Sequence, residues 1–416
     1  MKKYLILLAT ALFFGACGCD DEDDDDTGLA ERTVLVYMAA DNNLSKFADL
    51  DLKELKEGSK QLGKWRKLIV YVNQTAPKVP YVARIKNGEL VDSTSLEKSI
   101  TADPAILEDM LGYVRRKYPA QSYGLCLWGH ASGWAISNDS VAYKTSRAYG
   151  LDQGKGRDYW MNIPSMARAI ANGMGSDRLR FILADCCNFL CIESAYELRN
   201  VTDYLIGSPA EIPERGAPYH LVVPTLFDTS ATFYKSVIDT YYDYYLDEIV
   251  ARPAYYYNKT HGDLAGYSVP LAATKSDELD NLAQATASLL ETIHDKLTPE
   301  DTIRQHRIML YSCNWGYKSC YDIYQTLSVN TSESDFNNWK PAFEKAVPYR
   351  RFSRKWLSQI TLMEDCMDQF EATADQCGVV SMFFPNKKYK SLHPNMNTAI
   401  QRFQWNNVIR WQQYGW

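Results

Sequence analysis

Two apolar runs in this chain each end on a reactive side chain. Tyr123-Gly124-Leu125-Cys126-Leu127-Trp128-Gly129 leads into His130, and Leu179-Arg180-Phe181-Ile182-Leu183-Ala184-Asp185 leads into Cys186-Cys187. Such unbroken apolar stretches predict strands buried on both faces, as in a parallel sheet covered by helices. The pattern recurs at Thr33-Val34-Leu35-Val36-Tyr37-Met38-Ala39, at Lys67-Leu68-Ile69-Val70-Tyr71-Val72 and at Thr202-Asp203-Tyr204-Leu205-Ile206-Gly207. Tyr81-Val82-Ala83-Arg84-Ile85-Lys86 is a further strand, closed by an Asn87-Gly88 turn. Helical spacing predicts helices over 46–62, 103–118, 163–171 and 193–198, the second with Ile106, Leu107, Met110, Leu111 and Val114 on its buried stripe. Strand and helix alternate, so the fold class is α/β, with a mainly parallel sheet flanked by helices. The second half is more helical, with helices over 231–245, 276–297 and 401–413. Its one late strand is Gly378-Val379-Val380-Ser381-Met382-Phe383-Phe384-Pro385. The chain thus divides into a core over 31–225 and a helical-rich part over 226–416 that packs on and completes it.

The first thirty residues follow another logic. Met1-Lys2-Lys3 precedes an apolar stretch over 4–16, too short to span a bilayer as a mature helix. It stops at Gly15-Ala16-Cys17, which resembles a bacterial lipobox and implies a signal peptide over 1–16 and lipid on Cys17. Asp20-Asp21-Glu22-Asp23-Asp24-Asp25-Asp26 follows, a run of like charges that stays solvated and extended, so 17–30 reads as a spacer. An acidic run after a lipid-bearing Cys is similar to the surface-export signal of Bacteroides-type lipoproteins. The resemblance implies an exported outer-membrane or cell-surface lipoprotein that touches the membrane through its lipid alone.

That spacer also accounts for the charge. The chain has 45 basic and 51 acidic residues. Setting aside Lys2, Lys3 and the seven acids leaves 43 against 44, a near-neutral body with no footprint for nucleic acid. Outside the leader the cysteines are Cys126, Cys186, Cys187, Cys191, Cys313, Cys320, Cys366 and Cys377. In an exported protein Cys313 with Cys320 and Cys366 with Cys377 are candidate disulfides. No Cys-x-x-Cys occurs, and the cluster Cys186, Cys187, Cys191 has no companion His nearby, so no metal site is legible.

A Cys and a His at neighbouring strand ends can make and use a thiolate. A thiol of pKa about 8.5 becomes a strong nucleophile when an imidazole takes its proton. The imidazolium then protonates the departing amine, and backbone N–H groups stabilise the oxyanion. His130 precedes the small-residue loop Ala131-Ser132-Gly133, so the N–H groups of Ala131 and Cys187 are the candidate donors. The stretch over 137–158 is polar and Gly-bearing, carries Lys144, Arg147, Lys155 and Arg157, and reads as a long exposed loop.

An apolar block ending in His, followed by one ending in Asp-x-Cys, resembles the clostripain-like cysteine peptidases, which share a clan with caspases, legumains and gingipains. Val36-Tyr37-Met38-Ala39-Ala40-Asp41-Asn42-Asn43-Leu44 is similar to that family's opening strand and Asp-Asn loop, and Val380-Ser381-Met382-Phe383-Phe384-Pro385 to its late strand. The resemblance implies a caspase–hemoglobinase-like sheet and a catalytic pair of His130 and Cys187. The family reads Asp-Ala-Cys with Glu six residues on. Glu193 stands six after Cys187, which selects Cys187 over Cys186 as nucleophile. It further implies a protein or peptide substrate cut after Arg or Lys, with Asp185 and Glu214 at the pocket and no cofactor in the chemistry. Self-cleavage at Lys144 or Arg147 and a calcium dependence are also family traits. Here His130-Ala131 stands where the family has His-Gly, and Arg215 follows Glu214 at the pocket loop. The rival readings are a non-catalytic surface lipoprotein that binds glycans or peptides through aromatics such as Trp128, Trp134, Trp160, Trp315 and Trp416, and an inactive peptidase homologue. A serine hydrolase and a zincin are disfavoured, since Gly-x-Ser-x-Gly and His-Glu-x-x-His are both missing.

Overall fold

The computed structural model describes residues 28–134, 148–154, 156–252, 267–301, 303–304, 308–311, 313–314, 317–318, 321–353, 373, 375–387 and 394–416. Among these residues, besides four two-residue strands in small separate ladders, the strands are β1 (Arg32–Ala40), β2 (Arg66–Gln74), β3 (Tyr81–Lys86), β4 (Glu89–Ser95), β5 (Tyr123–Trp128), β6 (Tyr149–Asp152), β7 (Tyr159–Met161), β8 (Leu179–Asp185), β9 (Thr202–Gly207), β10 (Leu271–Lys275) and β11 (Tyr349–Arg351). All but β6 and β7 form one sheet, in the order β11-β10-β9-β8-β5-β1-β2-β3-β4. Strands β9, β8, β5, β1 and β2 run parallel, and the edges are antiparallel. Progression through the parallel strands reverses between β1 and β5, the kind of switch point where a crevice opens at the strands' carboxyl ends.

The parallel strands are buried because helices cover both faces. One face carries α2 (Pro104–Lys117), α3 (Ile163–Met174), α4 (Ile192–Leu198) and α7 (Leu279–Glu291), and the other α1 (Ser45–Ser59), α5 (Tyr219–Leu226) and α6 (Phe233–Ala251). Strand alternation divides the core accordingly. Leu125, Leu127, Ile182, Ala184 and Cys186 face the first layer, and Cys126, Trp128, Phe181 and Leu183 the second. Asp103 caps α2 by accepting the Ala105 N–H at 3.0 Å, with Pro104 at the first helical position.

Several sequence expectations change here. The Asn87-Gly88 turn opens a full hairpin, since β4 pairs with β3. Strand β4 is polar and largely exposed, so its pattern is that of an edge. The expected loop over 137–158 contains β6, which is fully buried. Tyr149 anchors it, donating to Tyr37 O at 3.1 Å and Trp128 O at 3.2 Å. Cys377, a candidate for a bridge to Cys366, is a buried free thiol 3.5 Å from the Tyr311 hydroxyl. Cys366, Cys320 and the Cys313 side chain lie outside the described residues.

Candidate active site

Strands β5 and β8 are neighbours, with Trp128 opposite Asp185. Their ends bring His130 and Cys187 to one cleft of about 100 Å³, lined also by Leu44, Trp128, Gly129, Asp185, Ile212, Pro213, Glu214 and Gly216. The turn into His130 needs glycine. Gly129 has φ +142°, and a Cβ there would stand 2.9 Å from Ala39 O. Alternation along β8 sends Cys186 into the core beneath α2 and α3, while Cys187, past the strand end, is half-buried in the cleft.

His130 has a partner that sequence reasoning did not assign. Its Nε2 lies 2.8 Å from Asn43 Oδ1. Oδ1 only accepts, so Nε2 carries the proton and Nδ1 is the basic nitrogen. Asn43 follows β1 at the switch point, which is the signal that was available. Its loop is fixed by Asn42, which donates to Ala39 O (3.0 Å) and Leu151 O (2.7 Å) and accepts the Leu44 N–H (2.8 Å). Lys98 adds an ion pair to Asp41 at 2.8 Å.

The thiol's hydrogen-bond partner is Ile212. Its Sγ accepts the Ile212 N–H at 3.5 Å and donates to Ile212 O at 3.8 Å. Burial pushes the Cys187 thiol up to about 12, with the charges of Glu211 and Asp185 adding to the shift, so in this arrangement it is neutral at pH 7. Ala131 bridges Tyr149 through the Ser132 N–H to Ala148 O (3.0 Å) and the Gly150 N–H to His130 O (2.8 Å). The Ala131 N–H itself stands outside that ladder.

Asp185 is buried on the α5–α6 side, and its oxygens are well occupied. Oδ1 accepts the Ala217 N–H and the Tyr241 hydroxyl, each at 2.9 Å, and Oδ2 accepts the Tyr219 hydroxyl at 2.8 Å. Burial raises its carboxyl while these three bonds oppose the rise. Gly216 closes over it: a Cβ there would stand 2.6 Å from Oδ2. Glu214 lines the cleft, and Arg215 reaches to Glu248 on α6 at 4.0 Å. Trp128 and Trp134 are 2 % and 3 % exposed, so neither offers a ring to an open ligand-binding surface, and Trp128 contributes only to the wall of the cleft. Lys144, Arg147 and Cys17 lie outside the described residues. Among the described residues no three His, Cys, Asp or Glu side chains gather to hold a metal ion.

A thiol and an imidazole at adjacent strand ends of a helix-covered parallel sheet define the architecture of a caspase-like cysteine peptidase. Residues 36–414 match the model of the Peptidase_C11 clostripain family, and the chain belongs to that family as a cysteine peptidase. It is similar to a secreted C11 cysteine protease from Bacteroides thetaiotaomicron, solved with an irreversible peptide inhibitor, at 27 % identity and TM-score 0.74 over 92 % of this chain and 100 % of that one. It is also similar to an inactive zymogen C11 protease from Parabacteroides distasonis, at 26 % identity and TM-score 0.71 over 92 % and 99 %. No curated protein matches the sequence.

Proposed function

We propose that the chain is an endopeptidase in which His130 activates Cys187 and which cuts after Arg or Lys. The observation that carries this reading is that both side chains line one cleft at the ends of paired strands. Nδ1 of His130 takes the thiol proton, and the thiolate attacks the scissile carbonyl carbon. The oxyanion meets the N–H groups of Ala131 and Cys187, and the imidazolium hands its proton to the leaving amine. Water then cleaves the thioester and regenerates the thiol. Asp185 and Glu214 give the cleft acidic walls for a basic substrate side chain. A thiol-reactive peptide probe ending in Lys or Arg should label Cys187 and lose that labelling in His130→Ala. Labelling that survives His130→Ala, or none at all, would return the protein to the binder or inactive-homologue readings.

The neutral thiol paired to Ile212 is read as a resting form that cleavage at Lys144 or Arg147 relieves. The export reading rests on the leader sequence and on a similar protein described as secreted. No described helix is long and apolar enough to cross a membrane. With 1–16 removed, lipid on Cys17 and 17–30 as spacer, the 31–225 core and the 226–416 part would sit outside the membrane. Cys17→Ala should shift the protein from the membrane to the soluble fraction, and unchanged partitioning would refute the anchor.

A further inference from the structure

Asp185 is one of two buried carboxyls on the α1–α5–α6 side of the sheet, and its charge acts on the other. The other is Asp51 on α1, 1 % exposed, which accepts the Trp128 Nε1–H at 2.6 Å. Trp128 is also the residue opposite Asp185 in the sheet, so the strand pairing that places Asp185 carries the indole that bonds Asp51. Two such carboxylates resist being ionised together, and the proton settles where the anion is worse solvated. Asp51 has one donor and Asp185 has three. Burial, with the charge of Asp185 next, pushes the Asp51 carboxyl up to about 9.

The two tyrosines are suited to this task. Tyr219 and Tyr241 are fully buried, on α5 and α6, and each aims its hydroxyl at a different oxygen of Asp185. Burial and the adjacent carboxylate push both phenols well above their ordinary value, so they remain donors. The other titratable groups in electrostatic contact with Asp185 are Asp51 and Glu54 from α1 and Cys126 from β5 on its own side of the sheet, Tyr149 and Cys186 across the sheet, and Cys187 beside it. Arg215, the nearby cation, is felt by Asp51.

We propose that Tyr219 and Tyr241 are specificity-positioning residues whose hydroxyls hold the single negative charge of the Asp51–Asp185 pair on Asp185, at the cleft wall where the substrate's lysine or arginine docks. This rests on reading the cleft as a pocket for a basic side chain. Hydrogen bonds to charged groups are worth enough that losing one costs roughly tenfold or more.

The test uses the full chain and peptide substrates that differ only in Lys, Arg or the neutral isostere norleucine before the scissile bond. In Tyr219→Phe and Tyr241→Phe, kcat/KM for the basic substrates should fall about tenfold each, through KM, while the norleucine substrate falls less than about threefold. The acid limb of KM for the basic substrates should move to higher pH, because loss of a donor weakens the ionised form. The preference should survive Asp51→Asn, which keeps an acceptor for the indole. Parallel slowing of all substrates with an unmoved acid limb would make the hydroxyls merely structural and overturn the proposal. Loss of the preference in Asp51→Asn would put the charge on the wrong member of the pair and overturn it too. A wild-type protein that cuts norleucine as well as lysine would instead sink the underlying reading of the pocket, whatever the variants do.

Discussion

Asn43 ties the imidazole of His130 to the loop that follows β1. An acceptor on Nε2 fixes the tautomer and steadies the imidazolium that forms when Nδ1 takes a proton. Asn43→Ala should therefore lower kcat about ten- to a hundredfold and leave KM nearly unchanged, read from initial rates on a basic substrate. A KM effect alone would mean that Asn43 contacts substrate instead of positioning the base. His130 and Cys187 were legible because buried parallel strands concentrate chemistry at their ends, and the apolar runs stop on those residues. Asp185 was legible through the Asp-x-Cys resemblance. The tyrosines around it were not. Tyr241 sits in Tyr241-Tyr242-Asp243-Tyr244-Tyr245, and no local pattern marks which hydroxyl meets a carboxylate 56 residues earlier. Asp51 likewise looks like an ordinary polar position on an amphipathic helix until the fold presses it against Trp128.

Among the elements, the parallel strands were read nearly to the residue, since continuous apolarity has little other meaning in a chain this long. Strands from the second half were harder. β10 and β11 are five and three residues long and add antiparallel beyond β9, with β11 at the edge, where no crossover rhythm announces them. The late strand shrinks to Ser381–Met382, because Val379 takes φ +55° and interrupts the extended run. What that stretch does instead is clamp the segment after the nucleophile. Ser381 N–H bonds Leu190 O at 3.2 Å, Phe383 N–H bonds Glu193 Oε1 at 2.8 Å on α4, and the Phe383 ring packs 4.4 Å from Trp134 in the His130 loop. Glu193 is fully buried, and burial pushes its carboxyl up to about 7. A carboxyl raised from 4.5 to about 7 stabilises the fold below 4.5 relative to neutral pH, and that contribution is lost as pH rises to 7. Glu193→Gln keeps an acceptor for Phe383 and removes the titration. It should match or exceed the wild type in melting temperature above pH 7 and lose that advantage toward pH 4. Glu193→Ala, which breaks the clamp, should melt lower at every pH, by about 1–3 kcal/mol in denaturant titrations. Equal pH slopes for wild type and Glu193→Gln would remove the buried carboxyl from this account.

For the molecule as a whole, the question is how a neutral, half-buried thiol becomes a nucleophile. The chain leaves the described fold at Trp134 and re-enters it at Ala148, and both points are pinned beside His130. Trp134 is held by Phe383, and Ala148 O accepts the Ser132 N–H at 3.0 Å. A cut between these anchors removes no strand or helix of the described fold, so the sheet and its cleft would survive it. It would relax the anchors that hold the His130 loop, on the cleft that also holds the Cys187–Ile212 pair. Lys144 and Arg147 lie in this span and match the proposed preference for basic residues. Self-processing by the Cys187 thiolate therefore predicts a wild-type protein that matures to two fragments that stay associated, the second beginning at Thr145 or Ala148 by N-terminal sequencing. Cys187→Ala should remain a single chain under the same conditions, and Lys144→Gln with Arg147→Gln should remain whole while keeping the wild-type melting temperature. Equal cleavage of wild type and Cys187→Ala would assign the cut to another protease. Full activity of the uncut double variant would mean that the thiol is released from Ile212 by substrate alone.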